Sequence, residues 1–168
     1  SLYAGLRIGE ICALEWEDID LDNRLIHVRK TVSRVSGTGE NMVRSTLVIS
    51  QPKTIASFRD IPICSWLIPV LKQVHDMQHS SFVASSRAGF VSPRTFDYRY
   101  HKLLRTVGIQ TINYHALRHT FATRCIEAGI DVKTLSELLG HTDASITLNT
   151  YVHSSMERKR DQLELLHQ

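Results

Sequence analysis

A change of hydrophobic rhythm near Ile63 constrains what this chain can fold into more than any other feature. Between Leu25 and Ile63 the apolar residues are largely β-branched and set among basic and hydroxyl side chains. Ile26, Val28, Val32 and Val35 form one run, Val43 to Ile49 a second after Gly37-Thr38-Gly39, and Phe58, Ile61 and Ile63 a third after Pro52-Lys53-Thr54. Such residues suit a pleated, half-buried surface, and Gly and Pro punctuate it. From Trp66 onward the apolar residues recur at helical intervals, which predicts helices over Trp66 to Met77, Pro93 to Val107, Tyr114 to Ala128, Val132 to Leu139, Ala144 to Tyr151 and from Ser155 on. Gly108, Gly129 and Gly140 stand where helices should stop, and Asp131 and Asp143 where the next should be capped. A further helix is expected over Arg7 to Leu14, closed against the core by Trp16. The expected fold class is α+β, mainly α, with a small antiparallel β-sheet over residues 25–63.

A length of 168 residues suits one domain. With 42% hydrophobic and 22% charged residues the chain can build a core, which excludes a disordered or fibrous class. The apolar run around Trp66 to Leu71 is broken by Pro69 and is far shorter than the roughly 20 residues that cross a bilayer, so no membrane partner is expected. Cys12, Cys64 and Cys125 are scattered and show no C-x-x-C spacing, which argues against a disulfide framework and a cysteine zinc site and fits a reducing cytoplasm. The chain opens at Ser1, without a leader, directly into a helical pattern; we read it as part of something longer. The net charge is +3, but Arg29-Lys30, Arg99 to Arg105 and Arg158 to Arg160 concentrate positive charge in a way that suits a polyanionic partner.

The most informative stretch is Tyr114-His115-Ala116-Leu117-Arg118-His119-Thr120-Phe121. At about 100° per residue, Leu117, Phe121 and Cys125 form the expected buried stripe, with His115 and His119 roughly opposite and Arg118 at the border. A His and an Arg would then share a turn outside the core. Taken alone, such a pair is an ordinary solvated face. His115 and His119 have the spacing of a helical zinc pair, but Ala116 stands where the protease pattern needs Glu. The adjacent Arg118 favours an anion over a cation. No metal and no cofactor is expected.

Other short pieces give this stretch a context. They are G-L-R-x-x-E at Gly5 to Glu10, P-K-T at Pro52 to Thr54, L-G-H at Leu139 to His141, and Thr150-Tyr151-Val152-His153. Together with H-x-L-R-H-T-F-A at His115 to Ala122, they resemble, in the same order, the signature boxes of the tyrosine recombinases, the family of phage and transposon integrases. The resemblance spans nearly the whole chain. It implies a helical catalytic domain of the DNA breaking-and-rejoining type filling residues 1–168, without the N-terminal core-binding domain of such enzymes.

The resemblance further implies a catalytic set of Arg7, Lys53, His115, Arg118, His141 and Tyr151. Tyr151 is the expected nucleophile, Arg7 and Arg118 the clamp on the non-bridging phosphate oxygens, and His115 the general base or proton relay. His141 would donate a hydrogen bond to a phosphate oxygen, and Lys53 would protonate the departing 5′ oxygen. The product is a 3′-phosphotyrosyl bond that stores the energy for resealing, so neither metal nor ATP is needed.

The implied partner is double-stranded DNA in the bacterial cytoplasm, at the nucleoid. Four protomers act together in the full-length relatives, whereas this piece alone could be monomeric. A C-terminal segment, here Met156 to Leu166 with Leu163 and Leu166 as anchors, is passed between protomers; an ordinary terminal helix is the plain alternative. Glu10 is expected to orient Arg7 or buttress the fold, and Ser57 and Arg59 to accompany Lys53. Arg94, Arg99, Lys102 and Arg105 could meet backbone phosphates, although a solvated face is the commoner outcome. Two other readings remain open. One is a type IB topoisomerase with the same tyrosine chemistry; the other is a non-enzymatic helix-turn-helix protein with Val132 to Leu139 as its recognition helix.

Overall fold

The computed structural model describes residues 1–35, 45–52, 54–77, 79–86, 89–151, 160, 163 and 164, with Tyr151 as backbone. In chain order the elements are α1 (Ile8–Ala13), β1 (Ile19–Asp20), β2 (Leu25–Val28), β3 (Thr31–Val35), β4 (Thr46–Ser50), β5 (Arg59–Pro62), α2 (Ile68–Asp76), β6 (Ser85–Ser86), β7 (Gly89–Phe90), α3 (Pro93–Thr106), α4 (His115–Glu127), α5 (Val132–Leu139) and α6 (Ala144–Tyr151). The class is α+β and mainly α, as the rhythm of the sequence implies.

The strand region differs from the expectation first in how it divides. The run from Leu25 to Val35 is not one strand but two, and they belong to different sheets. β2 lies between β1 and β5, with Ile26 opposite both Ile19 and Ile61, whereas β3 pairs with β4, with Val32 opposite Ile49. The break falls at Arg29-Lys30, where adjacent cations are drawn to different carboxylates: Arg29 to Asp60, and Lys30 to Glu15 and Glu17. A β-branched run carries no trace of that pull, because the partners are remote in sequence. β1 and the β6–β7 hairpin were also not expected.

The helices begin and end for local reasons. Predicted from Trp66, α2 starts only at Ile68, after a 3-10 turn over Ser65–Leu67, with Pro69 in its first turn, where a missing N–H leaves no bond unmade. Ser92 Oγ accepts from the Thr95 amide at 3.1 Å and caps α3, and Asp131 Oδ1 accepts from the Thr134 amide at 2.9 Å and caps α5. Asp143 Oδ1 accepts from the Ser145 amide at 2.8 Å at the start of α6.

The core has three parts that share α1 and α5 as pillars. Leu6 and Leu14 flank α1 and pack with Ile26 and Ile61 of the first sheet. Cys12 and Ala13 face the other way, onto Val32 and Val91. Ala122 and Cys125 of α4 close on Leu135 and Leu139 of α5. Leu135 and Leu139 are fully buried, and burial of each such side chain stabilises by roughly 1.5–3 kcal/mol. Leu138 packs on the first core, so α5 is fixed against both the sheet and α4.

The buried face of α4 is a second correction. It runs through Arg118, Ala122, Cys125 and Ile126, while Leu117 and Phe121 are only partly covered. The inward stripe is therefore turned by one residue from the expected one. A periodicity that scores arginine as polar cannot find this, because Arg118 is held inside by hydrogen bonds.

Candidate active site

The end of α5 gathers the site. The last carbonyls of a helix lack intrahelical partners and form the negative end of its dipole. Here three successive carbonyls each receive an arginine from a different part of the chain. Leu138 O accepts from Arg59 Nε at 2.7 Å, Leu139 O from Arg118 Nη2 at 2.7 Å, and Gly140 O from Arg7 Nη2 at 3.0 Å. Gly140 ends the helix in the left-handed conformation, with φ of 64°. A Cβ there would lie 2.9 Å from the Ala56 carbonyl and 3.0 Å from Arg59 Nη1, so only glycine lets the chain turn this close to the arginines.

Glu10 organises two of the three. Its buried carboxylate accepts from Arg7 Nη1 and from the Arg7 amide, each at 2.8 Å, and takes both terminal nitrogens of Arg59, at 2.9 and 2.8 Å. Burial pushes the Glu10 carboxyl up, yet the hydrogen bonds and charges of Arg59 and Arg7 outweigh it and hold the group below the usual carboxylate range. Glu10 thus does both things expected of it. Arg59, read as an accompaniment of Lys53, is instead a buried strut between α1, β5 and α5. Its inward position was legible in the alternation Arg59, Ile61, Ile63, since residues two apart share a strand face.

Arg118 is 2% exposed. Its Nη1 donates to Gly5 O at 2.6 Å, and its Nη2 lies 2.7 Å from Leu139 O and 3.0 Å from His141 Nε2. A guanidinium only donates, so Nε2 accepts. The His141 imidazole is therefore neutral, with its proton on Nδ1, 2.8 Å from Thr147 Oγ1. In the chain without DNA, Nε2 is thus an acceptor; the expected donation concerns a phosphate oxygen. Partial burial first, and then the charges of Arg118, Arg7 and Arg59, push the His141 imidazolium down to about 4.

His115 stands one turn before Arg118 on α4, its amide donating to Asn113 Oδ1 at 2.9 Å and its exposed ring edge-on to His119 at 4.6 Å. Burial, then His119, Arg118 and Arg7, lower its pKa, which keeps the imidazole neutral and basic near neutral pH.

Of the sequence-predicted residues, the structure joins Arg7, Arg118 and His141 through the end of α5 and sets His115 beside them. Lys53 lies outside the described residues. Tyr151 ends α6, next in the chain after the helix residues that follow His141, and its side chain also lies outside what is described. A cavity of about 290 Å³ opens between His115, Arg118, Leu6 and Asn113. A larger apolar cavity of about 620 Å³, between Tyr3, Trp66, Phe121 and Leu138, includes none of the six.

Arg94, Arg99, Lys102 and Arg105 are exposed on α3. Most of Met156 to Leu166 lies outside the described residues; Leu163 is exposed. Among the described residues no cluster of His, Cys, Asp and Glu could hold a metal, and no helix is long and apolar enough to cross a membrane. Sequence reasoning missed the carbonyl of Gly5 and Thr147, and named Arg59 without its role as a strut.

Residues 1–158 match the profile of the phage integrase family. The chain is 36% identical to a tyrosine recombinase XerC-like protein of Caldanaerobacter subterraneus subsp. tengcongensis, an alignment that takes in 96% of this chain and 46% of the relative. It is 32% identical to tyrosine recombinase XerC of Chlamydia trachomatis, over 94% of this chain and 45% of that protein. The chain thus spans about half the length of these relatives. Among solved structures, the Tn1549 transposon integrase in complex with circular intermediate DNA superposes with a TM-score of 0.79 at 28% identity, covering 98% of this chain and 57% of that one. XerA recombinase shares the fold, with a TM-score of 0.68 at 24% identity.

Proposed function

The chain belongs to the phage integrase family, and from that premise we propose that it is the catalytic domain of a site-specific recombinase that breaks and rejoins DNA through a covalent 3′-phosphotyrosyl bond. The observation that carries the reading is the meeting of Arg7, Arg118 and His141, drawn from distant stretches, at the end of one helix. Relatives named as tyrosine recombinases support it, and so does a similar integrase solved with DNA.

In this mechanism the Tyr151 oxygen attacks the scissile phosphorus and the bond to the 5′ oxygen breaks. Negative charge grows on the non-bridging oxygens, where the planar forks of Arg7 and Arg118 give charge-assisted hydrogen bonds. Both guanidiniums are held in place beforehand by backbone carbonyls, so little reorganisation is needed as that charge develops. His115, its pKa lowered by burial first and then by its neighbours, takes the phenolic proton or relays it. When the phosphate arrives, His141 Nε2 leaves Arg118, takes a proton from solvent as the phosphate's negative charge stabilises the imidazolium, and donates to a non-bridging oxygen. Lys53 protonates the departing 5′ oxygen. A 5′ hydroxyl from a partner strand then attacks the phosphotyrosine and releases Tyr151. Four copies would act on two duplexes in the cytoplasm, each passing its segment from Met156 to Leu166 to a neighbour.

The test is covalent capture. A pool of nicked duplexes of randomised sequence, from which the cleaved piece diffuses away, is incubated with the chain in chelator and without ATP, and DNA that survives denaturant on the protein is sequenced. The expected result is an adduct that vanishes in Tyr151→Phe, with captured sequences converging on one site. An adduct that persists in Tyr151→Phe removes the nucleophile; capture at arbitrary sequences replaces the recombinase with a topoisomerase.

A further inference from the structure

α6 is attached to the molecule in an unusual way. Among its side chains from Ala144 to Thr150, Thr147 alone is buried, at 0% exposure, while the apolar Ile146 and Leu148 on either side are each 47% exposed. The residue the helix turns inward is thus polar, and its hydroxyl oxygen lies 2.8 Å from His141 Nδ1. A buried hydroxyl placed on an imidazole nitrogen must suit that nitrogen's protonation state. Arg118 settles which state it is. A proton on Nε2 would face the donor Nη2 at 3.0 Å, so the proton sits on Nδ1 and Thr147 accepts it. A free histidine side chain prefers the opposite tautomer, so this form is imposed by its surroundings.

We infer that Thr147 is a positioning residue of the proposed reaction: by accepting the Nδ1 proton of His141 it fixes the ring with Nε2 toward Arg118 and ties the helix that ends at Tyr151 to the arginine cluster. The Nδ1–H bond to Thr147 serves both roles of the ring. It is made while Nε2 accepts from Arg118, and it is kept when Nε2 gains a proton and donates to a phosphate oxygen. The ring therefore keeps its orientation while its outer nitrogen changes function. Because Thr147 lies one helical turn before Tyr151, the same bond sets where the helix carrying the nucleophile sits relative to the arginines. This inference rests on the assignment of His141 and Tyr151 made above, and its test separates the two.

The direct measurement is nitrogen NMR of the His141 side chain in the chain without DNA, at neutral pH. The expected spectrum is a single neutral tautomer with the proton on Nδ1. In Thr147→Val, which keeps the shape and removes the acceptor, that single tautomer gives way to a mixture, and the backbone amides of α6 exchange with solvent about tenfold faster, the scale of one lost hydrogen bond. Thr147→Ser restores both. With saturating captured DNA, adduct formation in Thr147→Val slows about tenfold while the half-saturating DNA concentration is unchanged, as expected for loss of a group that orients a functional imidazole. An Nε2–H tautomer in the unsubstituted chain overturns the inference, even if Thr147→Val fails to fold. So does a Thr147→Val spectrum and cleavage rate equal to those of the parent. If the parent forms no adduct, it is the recombinase reading that fails, and the tautomer still decides this one.

Discussion

Two buried arginines meet the same helix end and are held in opposite ways. Arg59 lies on the Glu10 carboxylate through two hydrogen bonds, with the Leu138 carbonyl as a third acceptor. Arg118 donates to the Gly5 and Leu139 carbonyls and to a neutral imidazole. Taking a cation out of water costs several kcal/mol, and a carboxylate offsets most of that through its charge. The acceptors described at Arg118 are uncharged, and burial first, then the charges of Arg118 and its neighbours, lowers the pKa values of His141 and His115. The first region works as a strut, whereas the second is the place the proposed reaction assigns to an anion. They share α5, so the strut holds still the helix end that the second region uses.

The sharpest way to break this contrast is to remove each arginine in turn. Arg59→Met leaves Glu10 buried without its main counter-charge and should cost about 3–5 kcal/mol in denaturant unfolding. Arg118→Met orphans neutral carbonyls and should cost about 1–3 kcal/mol. It should nonetheless slow adduct formation roughly a hundred- to thousandfold, the scale of a lost preorganised donor. Equal stability losses would erase the distinction. Gly140→Ala tests the shared helix end. The left-handed backbone alone costs an alanine roughly 1–2 kcal/mol, and its Cβ would meet the Ala56 carbonyl at 2.9 Å, so cleavage and stability should fall together.

Acid should separate the two regions by degrees. The folded His141 titrates at about 4, below the unfolded value near 6.5, so between those pH values the unfolded chain binds more protons and stability falls as pH drops. The lowered Glu10 carboxyl contributes stability that is present above its unfolded pKa and is lost only as pH falls further, through its folded value. Unfolding followed against pH should therefore show a shallow first loss that His141→Gln reduces, leaving the part due to His115, ahead of a second that it does not change.

Helix ends were legible because they are local: Gly140 stops α5 and Asp131 caps it through groups within a few residues. Arg7, Arg118 and His141, three of the residues assigned by resemblance, meet at α5 because their boxes carry the bonds that bring them there. The division of Leu25 to Val35 was hidden because ion pairs to Asp60 and Glu15 decide it. The inward turn of Arg118 was hidden because the Gly5 carbonyl that holds it is far away in the chain. Arg59 was readable from strand alternation but lay beside a motif that drew attention to Lys53. Thr147 gave no signal, since a buried threonine on a helix with exposed Ile146 and Leu148 runs against the usual pattern.

The central claim, that Arg7 and Arg118 at the end of α5 neutralise one phosphodiester in the proposed reaction, is tested most directly by taking the charge off the DNA. A captured site rebuilt with a neutral methylphosphonate at the scissile position should be cleaved by Arg118→Ala far better, relative to the unsubstituted chain, than the native linkage is. If Arg118→Ala is equally defective on the neutral and the charged linkage, the arginine does not act on that charge.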